Sequence, residues 1–456
     1  MHLLSAPAAP HSSPSLWPPT PKRAYRAISP AAEQGAKRRR TLESESERSE
    51  PRAEDVKPRP GPSPAPAGAE ATNGTTATAS TKHHIPERQK ALLLHAPKSR
   101  YVLEDGFAVP KIKDDNELLV RVEYIGLNPI DWKAPDFNFG IPSLPYLAGR
   151  DIVGTVVRAP TSDSRVKVGD VVLTASTDYR DPRKAAYQHY AIASSFNVAR
   201  LPSSPSPATA GLGVAFVAAA LALGVCLGCD FSGTGAKGAP GPNLPTVLRA
   251  LDPEVIPADV RAECLSGRTD AERPKKGDWL AIWGGSSASA KMLAQLARLL
   301  GLRVIKVVDV GKHGAALSWT KHADLLVDSH DPARAVAIIR RVTGEELRFG
   351  VDTAGKETAG WLGKCLGEGG HLVGLAGLPM KEEGGVRQHV VPIKVHHECR
   401  EVGEGLMVWL EGLLRGGLVT PPEAEVVHEG LGGVNGALDR MRRGEVSGRR
   451  LVVKVE

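Results

Sequence analysis

"AIWGGSSASAKMLAQLARLLGLRVIKVVD", residues Ala281 to Asp309, is the stretch on which the fold turns. An apolar run stops at two glycines, small residues follow, the apolar spacing lengthens to three or four positions, and a second apolar run ends on an acid. This reads as strand, tight turn, helix, strand. A dinucleotide-binding turn needs small residues here for a sharp bend, for close backbone approach to a pyrophosphate and for close packing of helix on strand. With Gly285, Ser287 and Ala290 as key positions, the spacing is that of G-x-G-x-x-G, its second and third glycines replaced by small residues. Asp309 closes the second strand about 20 residues past the turn, where a carboxylate can accept hydrogen bonds from the adenosine ribose. Gly284, Gly285, Ser286, Ser287, Ala288 and Ser289 are therefore candidates to hold the pyrophosphate, with Asp309 and Lys312 at the adenosine end. A bend of small residues that serves packing alone is the competing reading.

Toward the C-terminus the same alternation continues in "ADLLVDS", "LRFGVDTAG" and "GGHLVGLAG". Their strand ends place Asp328, Asp352 and Gly374 on the same side as the turn, and Asp352 and Gly374 join the candidate cofactor residues. Apolar strands alternating with helices imply a doubly wound parallel sheet covered on both faces, over residues 276–390. Toward the N-terminus, from Gln89, short apolar alternations broken by Gly and Pro imply antiparallel strands of a barrel-like β domain over 86–228. Residues 229–275 are a Gly/Pro-rich insert with one weakly helical patch. Residues 391–456 end in a helix and a strand expected to return to the first domain.

At 456 residues the chain exceeds what one core organises, so two domains plus extra segments are expected. Residues 1–85 are Pro-, Ser- and Ala-rich with little periodic apolar content and are expected to be a disordered tail. They hold 12 basic and 8 acidic side chains, more than half of the net charge of +7. The remainder is close to neutral, which argues against a nucleic-acid partner. Lys22-Arg23 with "KRRR" (Lys37–Arg40) resembles a bipartite nuclear-import signal, and the first forty residues share features of a transit peptide, though prolines oppose its amphipathic helix. A solvated tail with no address is the third reading. Five cysteines in no regular framework, with no secretory signal, point to a reducing, cytoplasmic setting. "AGLGVAFVAAALALGVCLGC" (Ala210–Cys229) has the length of a membrane span but lacks flanking anchors, and reads instead as a buried helix between domains.

Further stretches carry a resemblance: "GLNPIDWK" (Gly126–Lys133), "LAGRDIVGTV" (Leu147–Val156), "VGDVV" (Val168–Val172), "WGGSSASA", "VDTAG" and the terminal "GEVSGRRLVVKV". In this order they make Gln89 to Glu456 resemble the medium-chain dehydrogenase/reductase superfamily, in its zinc-independent quinone oxidoreductase and enoyl reductase branch, stand-alone fungal enoyl reductases included. The resemblance implies an α/β chain with a β-rich GroES-like catalytic domain and a Rossmann domain, cofactor and substrate lying between them. It implies an NAD(P)H-dependent enzyme passing hydride to an activated alkene or quinone-type small electrophile. The other functional class in view is an NAD(P)-binding sensor or partner-binding protein without significant turnover.

The resemblance also assigns residues. Asn128 and Asp131 are placed near the nicotinamide, with Lys133 alongside, as catalytic candidates; Asn-Pro-x-Asp is equally a good turn sequence, with Pro129 fixing the backbone and Asp131 capping it. Where some members read "NYG" with a proton-donating tyrosine, this chain reads "NFG" with Phe139; Tyr146 and Tyr190 are either substitutes or core and surface tyrosines. Zinc-dependent members carry a cysteine where "LNPID" stands and a four-cysteine lobe, so no zinc and no metal site are expected here. The branch commonly takes NADPH, but Asp309 would repel a 2′-phosphate and favours NAD(H), with Lys312 of "GKH" as a partial counterweight. Neither a membrane nor nucleic acid is expected as partner; a homodimer through the Rossmann sheet edge is usual in the family.

Overall fold

A computed structural model of the chain describes residues 84–160, 165–237, 239–320, 322–380 and 384–456. The tail and its basic signals lie outside the described residues.

Eight short strands come first: β1 (Arg88–Leu94), β2 (Val102–Ala108), β3 (Glu117–Gly126), β4 (Tyr146–Leu147), β5 (Asp151–Arg158), β6 (Val171–Ala175), β7 (Tyr190–Ser194) and β8 (Val198–Leu201). β3 is the hub. It pairs antiparallel with β5 along one edge, and its other edge is shared between β7 and the last strand of the chain, β16 (Arg450–Lys454). β2, β1 and β4 make a second, three-stranded sheet. Leu118, Val120 and Val122, at alternate positions of β3, pack into a core with Leu92, Leu94 and Ile152, as the period of two requires. Helix α1 (Pro129–Phe137) follows β3 directly, because Pro129 is pre-set for the first helical position and Asn138, at φ 52°, closes the other end in left-handed conformation.

The apolar run folds as α2 (Gly213–Leu221), which continues into one π turn over Ala222–Cys226 and is buried along nearly its whole length. Among the described residues no helix is long and apolar enough to cross a membrane. Residues 229–275, read as a Gly/Pro-rich insert with one weakly helical patch, carry two helices, α3 (Leu244–Ala250) and α4 (Ala258–Ser266), with Pro253 and Pro257 in the break between them. Leu248, Ile256 and Cys264 fold this stretch into the largest core.

The second body alternates strands and helices: β9 (Trp279–Trp283), α5 (Ala288–Leu299), β10 (Arg303–Val308), α6 (Val310–Trp319), β11 (Leu325–Asp328), α7 (Pro332–Thr343), β12 (Phe349–Asp352), α8 (Lys356–Gly363), β13 (His371–Gly374) and β14 (Arg387–Val390). All pair in parallel, in the order β11-β10-β9-β12-β13-β14. Leu280, Ile282 and Val304 face Met292, Leu293 and Leu296 of α5, whereas Ala281, Trp283, Ile305 and Val307 face Ala335, Ile339 and Leu362 on the opposite side. Each Val, Leu, Ile or Met among them contributes about 1.5–3 kcal/mol on burial. The strand order reverses between β9 and β12, so their C-terminal ends splay apart into the crevice where open α/β sheets hold ligands.

After α9 (Val395–Glu398), α10 (Arg400–Arg415), β15 (Ala424–Val427) and α11 (Val434–Arg442), β16 re-enters the first sheet, Val453 opposite Ile125. The parallel-sheet body is thus an interruption of the β-rich one.

Candidate functional site

The turn after β9 is held from three sides. Gly284 has φ +80°, and a Cβ there would lie 2.4 Å from Thr353 Oγ1; a Cβ on Gly285 would lie 2.8 Å from Lys306 Cβ. Both positions require glycine for space, the first also for conformation. Ser287 is the N-cap of α5: its Oγ accepts from Ala290 N (3.1 Å) and donates to Thr353 Oγ1 (2.9 Å). The Thr353 hydroxyl in turn bonds the carbonyls of Trp283 (3.1 Å) and Gly284 (3.0 Å). With Ala290 N taken by the cap, the amides of Ala288 and Ser289 stand at the head of α5, where the helix has no acceptor for them. Ser286, Ser287, Ala288 and Ser289 are all partly exposed, at the crevice between β9 and β12. Small residues, aligned amides and the positive end of a helix suit an anionic pyrophosphate.

At the end of β10, Asp309 is the N-cap of α6, its Oδ1 accepting from the backbone N–H of Lys312 (2.9 Å). Its Oδ2 is 3.6 Å from His330 Nε2, and His330 Nδ1 is 3.1 Å from Asp328. Hydrogen bonding to Asp328, and then the charges of Asp328 and Asp309, raise the His330 pKa. Lys312 itself is exposed. Asp352, at the end of β12, is fully buried; its Oδ1 accepts from Ala354 N (2.9 Å) and Gly355 N (2.8 Å), and burial pushes its pKa up to about 6. Gly374 ends β13 pressed against Leu378, 2.5 Å from where its Cβ would be.

In the β-rich body, Asn128 and Asp131 are turned inward. Asp131 Oδ2 accepts from Asn128 N (2.7 Å) across the first turn of α1, and only 2% of the residue is exposed. Asn128 Nδ2 donates to Asp151 Oδ2 (3.0 Å), and its Oδ1 accepts from Arg450 (2.5 Å). Asp151 also caps α2 through Val214 N (2.7 Å). Burial pushes both Asp131 and Asp151 up to about 6. These two side chains of "NPID" are spent on the turn, on α1 and on tying β16 to β5. Lys133 is half-buried with Nζ 5.7 Å from the Trp132 ring centroid, and burial lowers its pKa. Phe139 begins the loop after α1; Tyr190 starts β7, and Tyr146 is buried with its hydroxyl bonded by Arg150.

Polar contacts between the bodies include the following two. His313 Nε2 meets Ser447 Oγ (2.8 Å) beside the Asp309 end, and Thr177 Oγ1 meets His397 Nδ1 (2.7 Å) on the segment after β6. All five cysteines are free and buried, and burial raises every one of their pKa values. Among the described residues a single trio, Asp309, Asp328 and His330, brings candidate metal-ligating atoms within 4.8 Å of one another. It is largely exposed, and both its carboxylates already accept backbone amides.

Sequence reasoning missed Thr353, which directly follows Asp352 in "LRFGVDTAG". It also passed over Lys306, a lysine inside an apolar strand, buried beneath Gly285 with its pKa pushed down to about 8 by burial. Arg150, Asp151 and Arg450 were visible as charges within otherwise apolar strand sequences, "LAGRDIVGTV" and "GRRLVVKV".

The family model for the alcohol dehydrogenase GroES-like domain matches residues 114–203. A trans-enoyl reductase of Thermothelomyces thermophilus is 29% identical over 400 residues, covering 81% of this chain and 97% of the relative. The enoyl reductase component of the lovastatin nonaketide synthase of Aspergillus terreus is 25% identical over 402 residues, covering 82% and 98%. Among solved structures, a putative NADPH:quinone reductase from Bacillus thuringiensis superposes with TM-score 0.62 at 17% identity, over 81% of this chain and 99% of that one. A mycobacterial protein solved in complex with NADPH superposes with TM-score 0.60 at 18% identity, over 80% and 99%.

Proposed function

We propose, from the premise that this chain is an enoyl/quinone reductase-like protein of the medium-chain dehydrogenase/reductase superfamily, that it is an NAD(P)H-dependent reductase of an activated alkene or quinone. The observation that carries this reading is the turn at Gly284–Ser289. It lies at the point where the strand order reverses, with two positions that admit no side chain, capped by Ser287 and braced by Thr353. That geometry fits a dinucleotide, which when bound supplies a hydride equivalent. Relatives that share nearly their whole length with this chain and are named enoyl reductases support the activity.

The residues take these parts in the proposal. The amides of Ser286, Ala288 and Ser289 hold the pyrophosphate, Gly284 and Gly285 let it approach, and Asp309 accepts from the adenosine ribose, with Lys312 beside it. Asp352 and Gly374 shape the crevice floor. Asn128 and Asp131 are positioning residues that set α1 and the α1–β5 contact, leaving Lys133 as the member of that group with a partly accessible charge. A carboxylate at 309 favours NAD(H) over a 2′-phosphorylated dinucleotide. The chemistry is zinc-independent, with orientation and hydrogen bonding as the protein's contribution. The same reading puts the protein in the cytoplasm and pairs it with a second copy through β14, whose Val390 is 61% exposed.

The test is a fluorescence titration of the full chain with NADH and NADPH, followed by dinucleotide oxidation against a panel of enoyl thioesters and quinones. Saturable binding with turnover of at least one electrophile is expected. Binding without turnover across the panel would favour the sensor reading, and no binding would end both.

A further inference from the structure

Lys306 is a cation inside the parallel sheet, on β10, and only 1% exposed. It shares its face of the strand with Val304 and so lies on the side that α5 covers. No hydrogen bond and no carboxylate holds its ammonium; the charge that bears on it is that of Lys291 on α5. The other titratable group facing it is basic too: His322, just before β11, feels both lysines and Arg298. The nearby acids are turned to other partners, Glu423 to Lys291 and Asp324 to Arg298. Burial, and then Lys291, push the Lys306 pKa down to about 8. A valine or methionine would suit this strand better, and unpaired buried charges are kept mostly where function uses them.

The turn after β9 rests directly on this residue. Gly285 N donates to Val307 O (3.0 Å), and a Cβ at 285 would lie 2.8 Å from Lys306 Cβ and 3.3 Å from its Cγ. A lysine stem spans at most about 5 Å from Cβ to Nζ, which puts the ammonium within about 10 Å of Gly285 Cα in any rotamer. Gly284 to Ser289 are glycine, serine and alanine, so the turn sets no acidic side chain above the lysine. Solvent and salt screen a charge beneath such a cover less than one at the surface.

We propose that Lys306 is a dinucleotide-binding residue that acts through the turn: its ammonium, without touching the ligand, attracts the pyrophosphate that the turn holds. This rests on the dinucleotide reading above and adds to it a group that makes affinity depend on pH. The small residues let the phosphates approach and the amides at the head of α5 bond them. Lys306 adds a full positive charge where the helix end supplies about half of one. At an effective dielectric of about 20, two opposite unit charges about 10 Å apart strengthen binding roughly tenfold. That attraction is present while Lys306 is protonated, below about pH 8, and is lost as pH rises past it. By linkage, bound dinucleotide raises the Lys306 pKa, so binding just above pH 8 takes up protons.

The experiment compares the full chain with Lys306→Met and Lys306→Arg. NADH affinity is measured by calorimetry from about pH 7 to about pH 9.5, in buffers of different ionisation enthalpy so that proton uptake is read directly. Wild type should lose affinity roughly tenfold over that range and take up protons on binding near its upper half. Lys306→Met should bind roughly tenfold more weakly than wild type at about pH 7, with neither the loss nor the uptake. Lys306→Arg, charged throughout, should bind at the top of the range as tightly as wild type does at the bottom. Urea denaturation checks the fold: Lys306→Met removes a buried charge and should be at least as stable as wild type. If arginine does not fit, the other two chains decide. A flat wild-type profile, or Lys306→Met within about twofold of wild type at neutral pH, overturns the proposal, Lys306 then being a packed stem whose charge the ligand does not sense. NADH that binds with a flat profile leaves the dinucleotide reading standing, whereas NADH that binds wild type at no pH ends both.

Discussion

Gly284→Ala sets the bracing of the turn against a built-in control. Gly284 and Gly344 both lie in the left-handed region, at φ +80° and +67°. An alanine at 344 meets nothing within 4 Å, so it should cost only the conformational penalty, about 1–2 kcal/mol. An alanine at 284 pays that and also brings Cβ to 2.4 Å from Thr353 Oγ1. The Thr353 hydroxyl must move away, giving up the one proton it shares between the carbonyls of Trp283 and Gly284 and the bond it accepts from Ser287 Oγ, each of these two interactions contributing about 0.5–1.5 kcal/mol net. Gly284→Ala should therefore cost about 3–4 kcal/mol, twice or more the cost of Gly344→Ala. Chemical denaturation gives both values, and a fluorescence titration with NADH gives the local consequence. Affinity should fall at least tenfold in Gly284→Ala and stay unchanged in Gly344→Ala. Adding Thr353→Ala to Gly284→Ala should recover part of the stability by removing the atom struck. Equal costs at the two glycines, or no recovery in the double variant, would refute the claim that Thr353 braces the turn.

Burial raises the Asp352 carboxyl from 3.8 to about 6, so the folded state keeps a proton that the unfolded chain gives up. Its destabilising effect is absent below about pH 4 and complete above about pH 6, roughly 3 kcal/mol in size. Asp352→Asn should thus gain on wild type in urea denaturation as pH rises from 4 to 7, and a pH-independent difference would count against it. Glu411 is buried between Arg165 and Arg200; Glu411→Ala should cost about 1.5–3 kcal/mol through its lost charged hydrogen bonds, since Arg200 is 41% exposed and Arg165 keeps the Val198 carbonyl and Glu404, and a loss under 1 kcal/mol in the same assay would show the cluster to be inconsequential. Asp309→Ala should shift the ratio of NADH to NADPH affinity at least tenfold toward NADPH, and an unchanged ratio would remove Asp309 from cofactor choice. Light scattering should find a dimer that Val390→Lys dissociates; a monomeric wild type would exclude pairing through β14.

Much of the architecture was legible because it depends on local periodicity. Alternation with period two in β3, lengthened spacing in "ASAKMLAQLARLL" and apolar runs ending on acids each require only the chain's own repeat to be matched by burial. The insert was read less well, since its two helices are short and stabilised by contacts with the large core rather than by a sustained repeat of their own. The "NPID" segment shows the limit at a site. Both roles weighed for Asp131 use the same four residues, and its carboxylate answers to Asn128 N across a single turn, inside a domain whose closure brings Asp151 and Arg450 from far along the chain.

By itself the sequence determined the β-rich and parallel-sheet bodies, the order of their strands along the chain and the small residues of the turn, because these are properties of segments a few residues to a few turns long. Tertiary structure alone decided that Thr353, 66 positions from Ser287, braces that turn. It alone brought β16 back beside β3 and joined its Arg450 to Asn128. Pairings between distant residues follow from which strands lie adjacent and which faces they bury, and neither is encoded in any single stretch.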